Sequence, residues 1–201
     1  MGAASTTERH VWLVRHGETE WARLGRHTGR TDIALTDTGR DQARALGQRL
    51  AGHRFQRVLT SPLSRAAETA RIAGYGSVAV MDDDLMEWDY GALEGRTTVE
   101  IRGENPDWTI WRGPWPNGET VDAVGLRADR VIARIRAARA GGDVLVFAHG
   151  HLLRVLAARW IGLGPASGGL FELATATVSI LGAERESPSI ELWNEACHLV
   201  T

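Results

Sequence analysis

The chain has 201 residues, of which 43% are hydrophobic, and its 23 basic and 25 acidic residues give a formal net charge of -2. This length suits one domain spanning residues 1–201, and the near-neutral charge argues against nucleic acid or an anionic membrane as a partner, because both bind clustered positive charge. Every basic residue is an arginine. The absence of lysine excludes Schiff-base chemistry, whereas guanidinium groups favour the binding of phosphate or carboxylate.

The first nine residues are small and polar and predict a frayed leader rather than a targeting segment. No run in the sequence approaches the roughly 18 apolar residues that would span a bilayer. The single cysteine, Cys197, cannot form an internal disulfide, which fits a reducing compartment. We therefore expect a soluble, cytoplasmic protein.

Strand and helix patterns alternate through the first third of the chain. Residues 11–14 form a short apolar run typical of a buried parallel strand. A helix is predicted from Thr36 onward, because apolar residues follow it at helical spacing. A second strand, 58–60, precedes a helix for which Ser61 is the expected N-cap and Pro62 the first helical residue.

The middle of the chain contains a segment of different composition. After a third strand at 78–81, residues 88–118 combine tryptophans with Gly, Pro and Asn and predict an inserted lid with a short helix at 97–102. We expect Trp108, Trp111 and Trp115 to pack rather than bind, and we leave open that one of the three rings lines the mouth of the pocket.

The last third of the chain returns to the alternating pattern. A long helix at 120–140 leads to a fourth strand that ends at His149, and another helix follows. Two alternating segments near the C-terminus predict an edge hairpin, which leaves pairing of two subunits into a homodimer open. The whole pattern predicts an α/β three-layer sandwich, with a mostly parallel central sheet and helices on both faces.

Charged and nucleophilic side chains follow several of the predicted strands. Ligands of open α/β sheets bind at the carboxyl ends of the strands, where this sequence places Arg15, His16, Arg65 and His149. Two arginines and two histidines suit a group with several anionic oxygens, such as phosphate. His16, mounted on a strand end, is a candidate nucleophile, and Glu87 is the weaker candidate for a general acid.

Five segments in fixed order resemble the histidine phosphatase superfamily, which includes the cofactor-dependent phosphoglycerate mutases. They are LVRHGETEW, TGRTDIALTDTGRDQA, TSPLSRAAETA, EWDYGALEG and FAHGHLLR, and the resemblance extends from Val11 to about Arg154. It implies a phosphoglycerate mutase-like fold and an enzyme that uses no cofactor and no metal, with a small phosphomonoester as its partner.

The resemblance also implies a role for individual residues. His16 corresponds to the nucleophile that becomes phosphohistidine, and Glu87 corresponds to the proton donor, with Glu94 as a rival in the same loop. The other catalytic residues implied are Arg15, Arg65 and His149. The predicted substrate contacts are Thr28, Gly29, Trp88, Tyr90, Gly150 and His151.

Departures from the mutase pattern favour a phosphatase. The phosphoglycerate mutases have the motifs RHGxSxWN and ERHYG. This chain has Ala22 where the first motif has asparagine, and Trp88 and Asp89 where the second has arginine and histidine. We therefore expect an acid phosphatase-like enzyme, with a phosphoglycerate mutase as the alternative. A catalytically inactive binding module is the alternative of another class, against which the complete set of predicted site residues argues.

Other polar residues receive less specific interpretations. His27 adjoins Thr28, which leaves two interpretations open, contact with the substrate or simple solvation, and Arg154 is expected to be structural. The three aspartates at 82–84 are interpreted as a solvated bend rather than a metal site, because consecutive acids in a turn do not converge.

Overall fold

The computed structural model describes residues 9–199, so the predicted leader lies outside this range except for Arg9. Helices α1 to α6 are Glu20–Arg23, Asp37–Arg49, Ser64–Ile72, Thr98–Glu104, Val121–Arg139 and Gly150–Trp160. Strands β1 to β6 are Val11–Arg15, Arg57–Thr60, Ala79–Met81, Val144–Ala148, Val178–Glu184 and Ser187–Glu195. Within the described residues, no helix is both long enough and apolar enough to cross a membrane.

The six strands form one sheet in the order β3-β2-β4-β1-β5-β6. β3, β2, β4 and β1 are mutually parallel, whereas β5 pairs antiparallel with β1 and β6 pairs antiparallel with β5. Helices connect the parallel strands, and a tight turn joins β5 to β6. The predictions of a mostly parallel sheet and of a C-terminal edge hairpin are therefore confirmed.

Helices cover both faces of the sheet because side chains alternate along its central strands. Val11 and Leu13 of β1 pack into a core with residues of α5 and α6, whereas Trp12 and Val14 pack into a second core with residues of α2 and α3. β4 divides its buried side chains in the same way. This arrangement confirms the predicted three-layer α/β sandwich.

The start of α3 differs from the prediction. The helix begins at Ser64 after Leu63, which provides no side-chain cap, so Ser61 and Pro62 precede the helix. The Ser61 hydroxyl instead lies 2.7 Å from Nε2 of His149. A sequence pattern alone does not distinguish a serine that caps a helix from a serine whose hydroxyl contacts a histidine far away in the chain.

The 88–118 segment is folded against the core rather than extended as a loop. Trp88, Trp108 and Ile110 are buried, and they pack with residues of α5 and α6. The short helix α4 begins with a capping box, in which Thr97 and Glu100 each accept from the backbone N–H of the other. Tryptophan burial therefore anchors this segment, as the packing interpretation predicted for Trp108.

Two of the three aspartates at 82–84 are paired rather than solvated, and Asp83 is exposed as predicted. Asp82 and Asp84 form ion pairs with Arg134, at 2.9 and 2.7 Å, and Asp84 also pairs with Arg130. Their partners lie on α5, so the acidic turn connects the end of β3 to that helix.

Candidate active site

The carboxyl ends of β1 and β4 bring two histidines together. The backbone N–H of His16 donates to the carbonyl of Ala148 at 3.0 Å, and the ring centroids of His16 and His149 lie 5.1 Å apart. Both side chains are buried. The parallel pairing of the two strands therefore fixes the separation of these rings.

The tautomer of His16 follows from its hydrogen bond. Nδ1 lies 2.7 Å from the carbonyl oxygen of Gly17, and because a carbonyl can only accept, Nδ1 carries the proton. Burial lowers the pKa of His16 well below its usual value, and the charges of Arg65 and Arg15 lower it further. Nε2 is therefore left with a free lone pair, which is the form that a nucleophile requires.

Arg65 is fully buried and connects a loop to the second histidine. Its Nε donates to Nδ1 of His149 at 3.2 Å, and its terminal nitrogens donate to the carbonyls of Thr28, Gly29 and Thr31. Thr28 and Gly29 thus contact Arg65 through their backbone oxygens. Burial lowers the pKa of His149 well below its usual value, with Arg65 as the next cause, so the ring is neutral.

Arg15 has an unpaired donor at the cavity. One terminal nitrogen donates to the carbonyl of Leu173 at 2.5 Å, whereas the buried Nε has no hydrogen-bond partner within residues 9–199. Gly150 makes room for this guanidinium, because a Cβ at that position would lie 3.3 Å from Cζ of Arg15. An unsatisfied buried donor on a cation is suited to an incoming anionic oxygen.

Glu87 lies at the N-terminus of α6. Its Oε1 accepts from the backbone N–H groups of Trp88 and Leu152 at 2.9 Å, and its Oε2 accepts from that of His151 at 3.0 Å. His149, the N-cap residue, makes no side-chain cap bond, so the carboxylate of Glu87 satisfies helix N–H groups in its place. These three bonds fix the carboxylate in the cavity that His16 also lines.

The rival acid, Glu94, contacts a loop rather than the cavity. Its carboxylate accepts from the backbone N–H groups of Arg30 and Thr31 and from the hydroxyl of Thr31. It therefore fastens the loop that contacts Arg65, and it is absent from the cavity wall.

A cavity of about 180 Å³ opens at this edge of the sheet. Seven predicted site residues line it: Arg15, His16, Thr28, Glu87, Tyr90, Gly150 and His151. Arg65, His149 and Gly29 are not part of this wall, and Arg65 contacts both of the others. Trp88 departs from the prediction, because its ring is fully buried in the core and its indole N–H donates to the carbonyl of Glu119.

The cavity wall also contains residues whose position the sequence interpretation missed. His27, for which the sequence left substrate contact and solvation open, lines the cavity, and burial lowers its pKa to about 4. Arg26 lines it too, and so does Arg154, which was expected to be structural. Arg154 lies one helical turn after His151, so i,i+3 spacing could have placed both on one face.

Tyr90 and His151 form a hydrogen-bonded pair in the wall. The phenol oxygen lies 2.6 Å from Nδ1 of His151. Burial raises the pKa of Tyr90 well above its usual value, so the phenol keeps its proton and donates it. Burial also lowers the pKa of His151, followed by the charge of Arg154, and the neutral ring therefore carries its proton on Nε2.

The assembled groups are suited to phosphoryl transfer. An unprotonated imidazole lies beside guanidinium groups that neutralise anionic oxygens, and a fixed carboxylate lines the same cavity. Within residues 9–199, no group of three or more side chains is arranged as metal ligands.

Comparison with known proteins agrees with this chemistry. A model of the histidine phosphatase superfamily (branch 1) matches residues 11–196. An acid phosphatase of Mycobacterium tuberculosis is 44% identical over 174 residues, which cover 86% of this chain and 85% of that protein. Sedoheptulose 1,7-bisphosphatase of Saccharomyces cerevisiae is 40% identical over 191 residues, which cover 80% of this chain and 70% of that protein.

A solved structure shares the fold. The product of an open reading frame from Mycobacterium tuberculosis superposes with a TM-score of 0.89 at 40% identity, over 94% of this chain and 98% of that chain. With the family match and the similarity to named phosphatases, this shows that the chain belongs to the histidine phosphatase superfamily, branch 1, and is a hydrolase of the phosphatase type.

Proposed function

We propose that the protein hydrolyses small phosphomonoesters through a phosphohistidine formed at Nε2 of His16. The observation that carries this proposal is the free lone pair on Nε2, which results from the bond between Nδ1 and Gly17 and from the lowered pKa of the ring. In the first step, the Nε2–phosphorus bond forms and the phosphorus–oxygen bond to the leaving group breaks.

Three groups around the nucleophile would assist this step. Arg15 and Arg65 neutralise the phosphoryl oxygens, whose negative charge must be stabilised during transfer. Glu87 supplies the proton that the leaving oxygen requires. In the second step, Glu87 takes a proton from water as the water oxygen attacks phosphorus, and the Nε2–phosphorus bond breaks to release phosphate.

Hydrolysis is favoured over mutase chemistry by the cavity wall and by the relatives. Ala22, which stands in the asparagine place of the mutase pattern, lines the cavity with a methyl group. Asp89, in place of a basic residue, accepts from the backbone N–H of Gly91 and lies outside the cavity wall. The relatives named above act on phosphate esters, as acid phosphatase and as sedoheptulose bisphosphatase.

Hydrolysis of para-nitrophenyl phosphate between pH 5 and 7 tests the proposal. The parent protein should be active, and His16→Ala should lose activity by at least about a thousandfold, because the covalent step has no substitute nucleophile. His53→Ala, which replaces an exposed histidine, is the matched control. An inactive parent protein would support the binding-module alternative instead.

A second assay separates the two enzymatic alternatives. The protein is incubated with 3-phosphoglycerate and 2,3-bisphosphoglycerate, and both products are measured. Release of inorganic phosphate should exceed formation of 2-phosphoglycerate, whereas the opposite order would identify a mutase.

We further propose that the reaction requires no metal ion and that the enzyme acts in the cytoplasm. Arginine charge at the cavity can neutralise the phosphoryl group, which supports metal independence. Activity should therefore persist after dialysis against EDTA. Formation of a homodimer through the edge strand β6 stays a prediction, which light scattering of the purified protein tests.

A further inference from the structure

We infer that Gln42 is a positioning residue for the nucleophile, because it holds the peptide group whose carbonyl oxygen fixes the proton of His16 on Nδ1. The inference rests on the proposed phosphatase function, since it concerns how the His16 ring is kept in its reactive form. Gln42 lies on α2, outside the cavity wall, and acts through the backbone rather than by contact with the substrate.

The backbone at Gly17 approaches the start of α2 too closely for a side chain. A Cβ on Gly17 would collide with the carbonyl group of Gly39, and a Cβ on Gly39 would collide with the carbonyl oxygen of Glu18. Position 17 therefore requires glycine, the residue that restrains its own backbone dihedral angles least. The peptide groups on either side of Gly17 have to be oriented by hydrogen bonds with other segments.

The peptide group that precedes Gly17 is held at both ends. The N–H of Gly17 donates to the hydroxyl of Thr69 at 3.0 Å, and the carbonyl of His16 accepts from the backbone N–H of Ala176 at 3.1 Å. Thr69 is fully buried and in turn donates to the carbonyl of Arg65 at 2.7 Å. This peptide group keeps its orientation without any contribution from Gln42.

The peptide group that follows Gly17 depends on Gln42. Its carbonyl oxygen accepts from Nδ1 of His16 at 2.7 Å, and its N–H, which belongs to Glu18, donates to Oε1 of Gln42 at 2.8 Å. Within residues 9–199, no other hydrogen bond reaches this peptide group, and the side chain of Gln42 makes no other hydrogen bond. Because a peptide group is planar, the direction of its N–H fixes the direction of its carbonyl. Gln42 therefore keeps the Gly17 carbonyl pointing at the ring of His16.

The bond to Gln42 also makes this carbonyl a better acceptor. Hydrogen bonds in series polarise one another, so donation by the N–H increases the negative charge on the carbonyl oxygen of the same peptide group. A stronger acceptor holds the imidazole proton more firmly on Nδ1. Without Gln42 the carbonyl is free to turn away, and the proton can then move to Nε2, where it blocks attack on phosphorus.

Nitrogen-15 NMR of the histidine-labelled protein tests the inference without any turnover, because a ring nitrogen that carries a proton resonates far from one that does not. The signals of His16 are those missing from the spectrum of His16→Ala. At neutral pH the parent protein should show His16 with its proton on Nδ1. In Gln42→Met, which has no acceptor at the end of its side chain, the two nitrogen signals should move toward each other, because the ring now exchanges between both tautomers.

Two further variants separate the acceptor from a general effect on α2. Gln42→Glu keeps an acceptor for the N–H of Glu18 and should restore the spectrum of the parent protein. Gln48→Met, at an exposed glutamine of the same helix, is the matched control and should leave the spectrum unchanged.

Kinetics with para-nitrophenyl phosphate give a second readout. The value of kcat/KM, which includes attack by His16, should fall by about tenfold or more in Gln42→Met and by less than about threefold in Gln42→Glu, because only the first variant loses the orientation of the nucleophile. The inhibition constant of inorganic phosphate should change by less than about twofold in both variants, because the phosphate-binding arginines are unaltered.

The spectra and the kinetics distinguish failure of this inference from failure of the proposed function. An unchanged His16 spectrum in Gln42→Met would overturn the inference even if activity fell, because Gln42 would then only stabilise the fold. Equal losses of kcat/KM in Gln42→Met and Gln42→Glu would overturn it as well. A parent protein that has the expected tautomer but hydrolyses no phosphomonoester would contradict the proposed function alone, whereas a parent proton on Nε2 would contradict both.

Discussion

Nε of Arg65 donates a hydrogen bond to Nδ1 of His149 at 3.2 Å, and this contact determines which nitrogen of the second histidine carries a proton. Because Nδ1 accepts, the neutral ring has its proton on Nε2, which donates to the hydroxyl of Ser61 at 2.7 Å. Arg65 in turn is held by carbonyls of Thr28 and Gly29. A continuous set of hydrogen bonds therefore runs from the loop before α2 to His149, whose ring lies beside that of His16.

Ser61→Ala should leave the Nε2–H of His149 buried without an acceptor. We expect a loss of about 1–3 kcal/mol in the free energy of unfolding, the cost of an unsatisfied buried donor. We also expect kcat to fall by about tenfold or more, because the ring is no longer held in one orientation. Urea unfolding and para-nitrophenyl phosphate kinetics measure the two effects.

Thr60→Val is the matched control for the serine change. Thr60 is buried next in the chain, but its hydroxyl donates to the carbonyl of Ser61 rather than contacting His149. Thr60→Val should lower the free energy of unfolding without a comparable fall in kcat. Equal kinetic effects of the two variants would contradict a positioning role for the Ser61 hydroxyl.

Glu87→Gln should separate proton donation from phosphate binding. The amide cannot donate an acidic proton, so kcat/KM for an alkyl ester such as glycerol phosphate should fall by about 100- to 10,000-fold. The loss of kcat/KM for para-nitrophenyl phosphate should be much smaller, because its leaving group needs little protonation. The ratio of the two kcat/KM values is the decisive measurement, since it is insensitive to partial unfolding.

Glu94→Gln provides the comparison, because Glu94 accepts from the backbone of Arg30 and Thr31 outside the cavity wall. It should lower both activities together, through disturbance of the loop. A leaving-group dependence that appeared in Glu94→Gln and not in Glu87→Gln would reverse the two assignments.

The fold and the convergence of the site could be predicted because each depends on local pattern. Apolar runs that end in Arg15 and at His149 predict strands, and parallel strands deliver their following residues to one edge of the sheet. The same reasoning predicts that His16 lies near His149, as it does in the structure. No contact between distant side chains had to be known for these predictions.

What could not be predicted depends on contacts between distant segments. The burial of Trp88 results from packing within the 88–118 segment, whose irregular backbone has no periodic pattern. The position of His27 in the cavity wall follows from its ring contacts with Tyr90 and Trp108. The role of Ser61 required the position of His149, 88 residues away along the chain.

Acid should destabilise the protein partly through His27. Burial lowers the pKa of this ring to about 4, from an ordinary value of 6.5. Between these two pH values the unfolded chain binds a proton that the folded chain does not, so stability falls as pH decreases below about 6.5. His27→Phe removes the titratable imidazole. The free energy of unfolding should therefore fall less between pH 7 and pH 4.5 in the variant than in the parent protein, by about 2–3 kcal/mol.

The measurement is urea unfolding of parent and variant at both pH values. His53→Phe, at an exposed histidine, is the control and should retain the destabilisation that His27 causes. If His27→Phe loses as much stability as the parent between the two pH values, His27 is not the group responsible.

Gly29→Ala should damage the hydrogen-bonded loop behind the cavity. A Cβ at this position would lie 2.5 Å from the carbonyl oxygen of Trp88 and 2.4 Å from Oε1 of Glu94, so the loop must shift. We expect a loss of about 1–3 kcal/mol of stability, as for an overpacked core, and a lower kcat/KM because the Gly29 carbonyl holds Arg65 at 2.8 Å. Gly103→Ala, in α4 with open space around it, is the matched substitution and should stabilise by about 0.5–1 kcal/mol with kcat/KM unchanged. Similar unfolding midpoints and kinetics for the two variants would show that the close approach at Gly29 does not constrain the site.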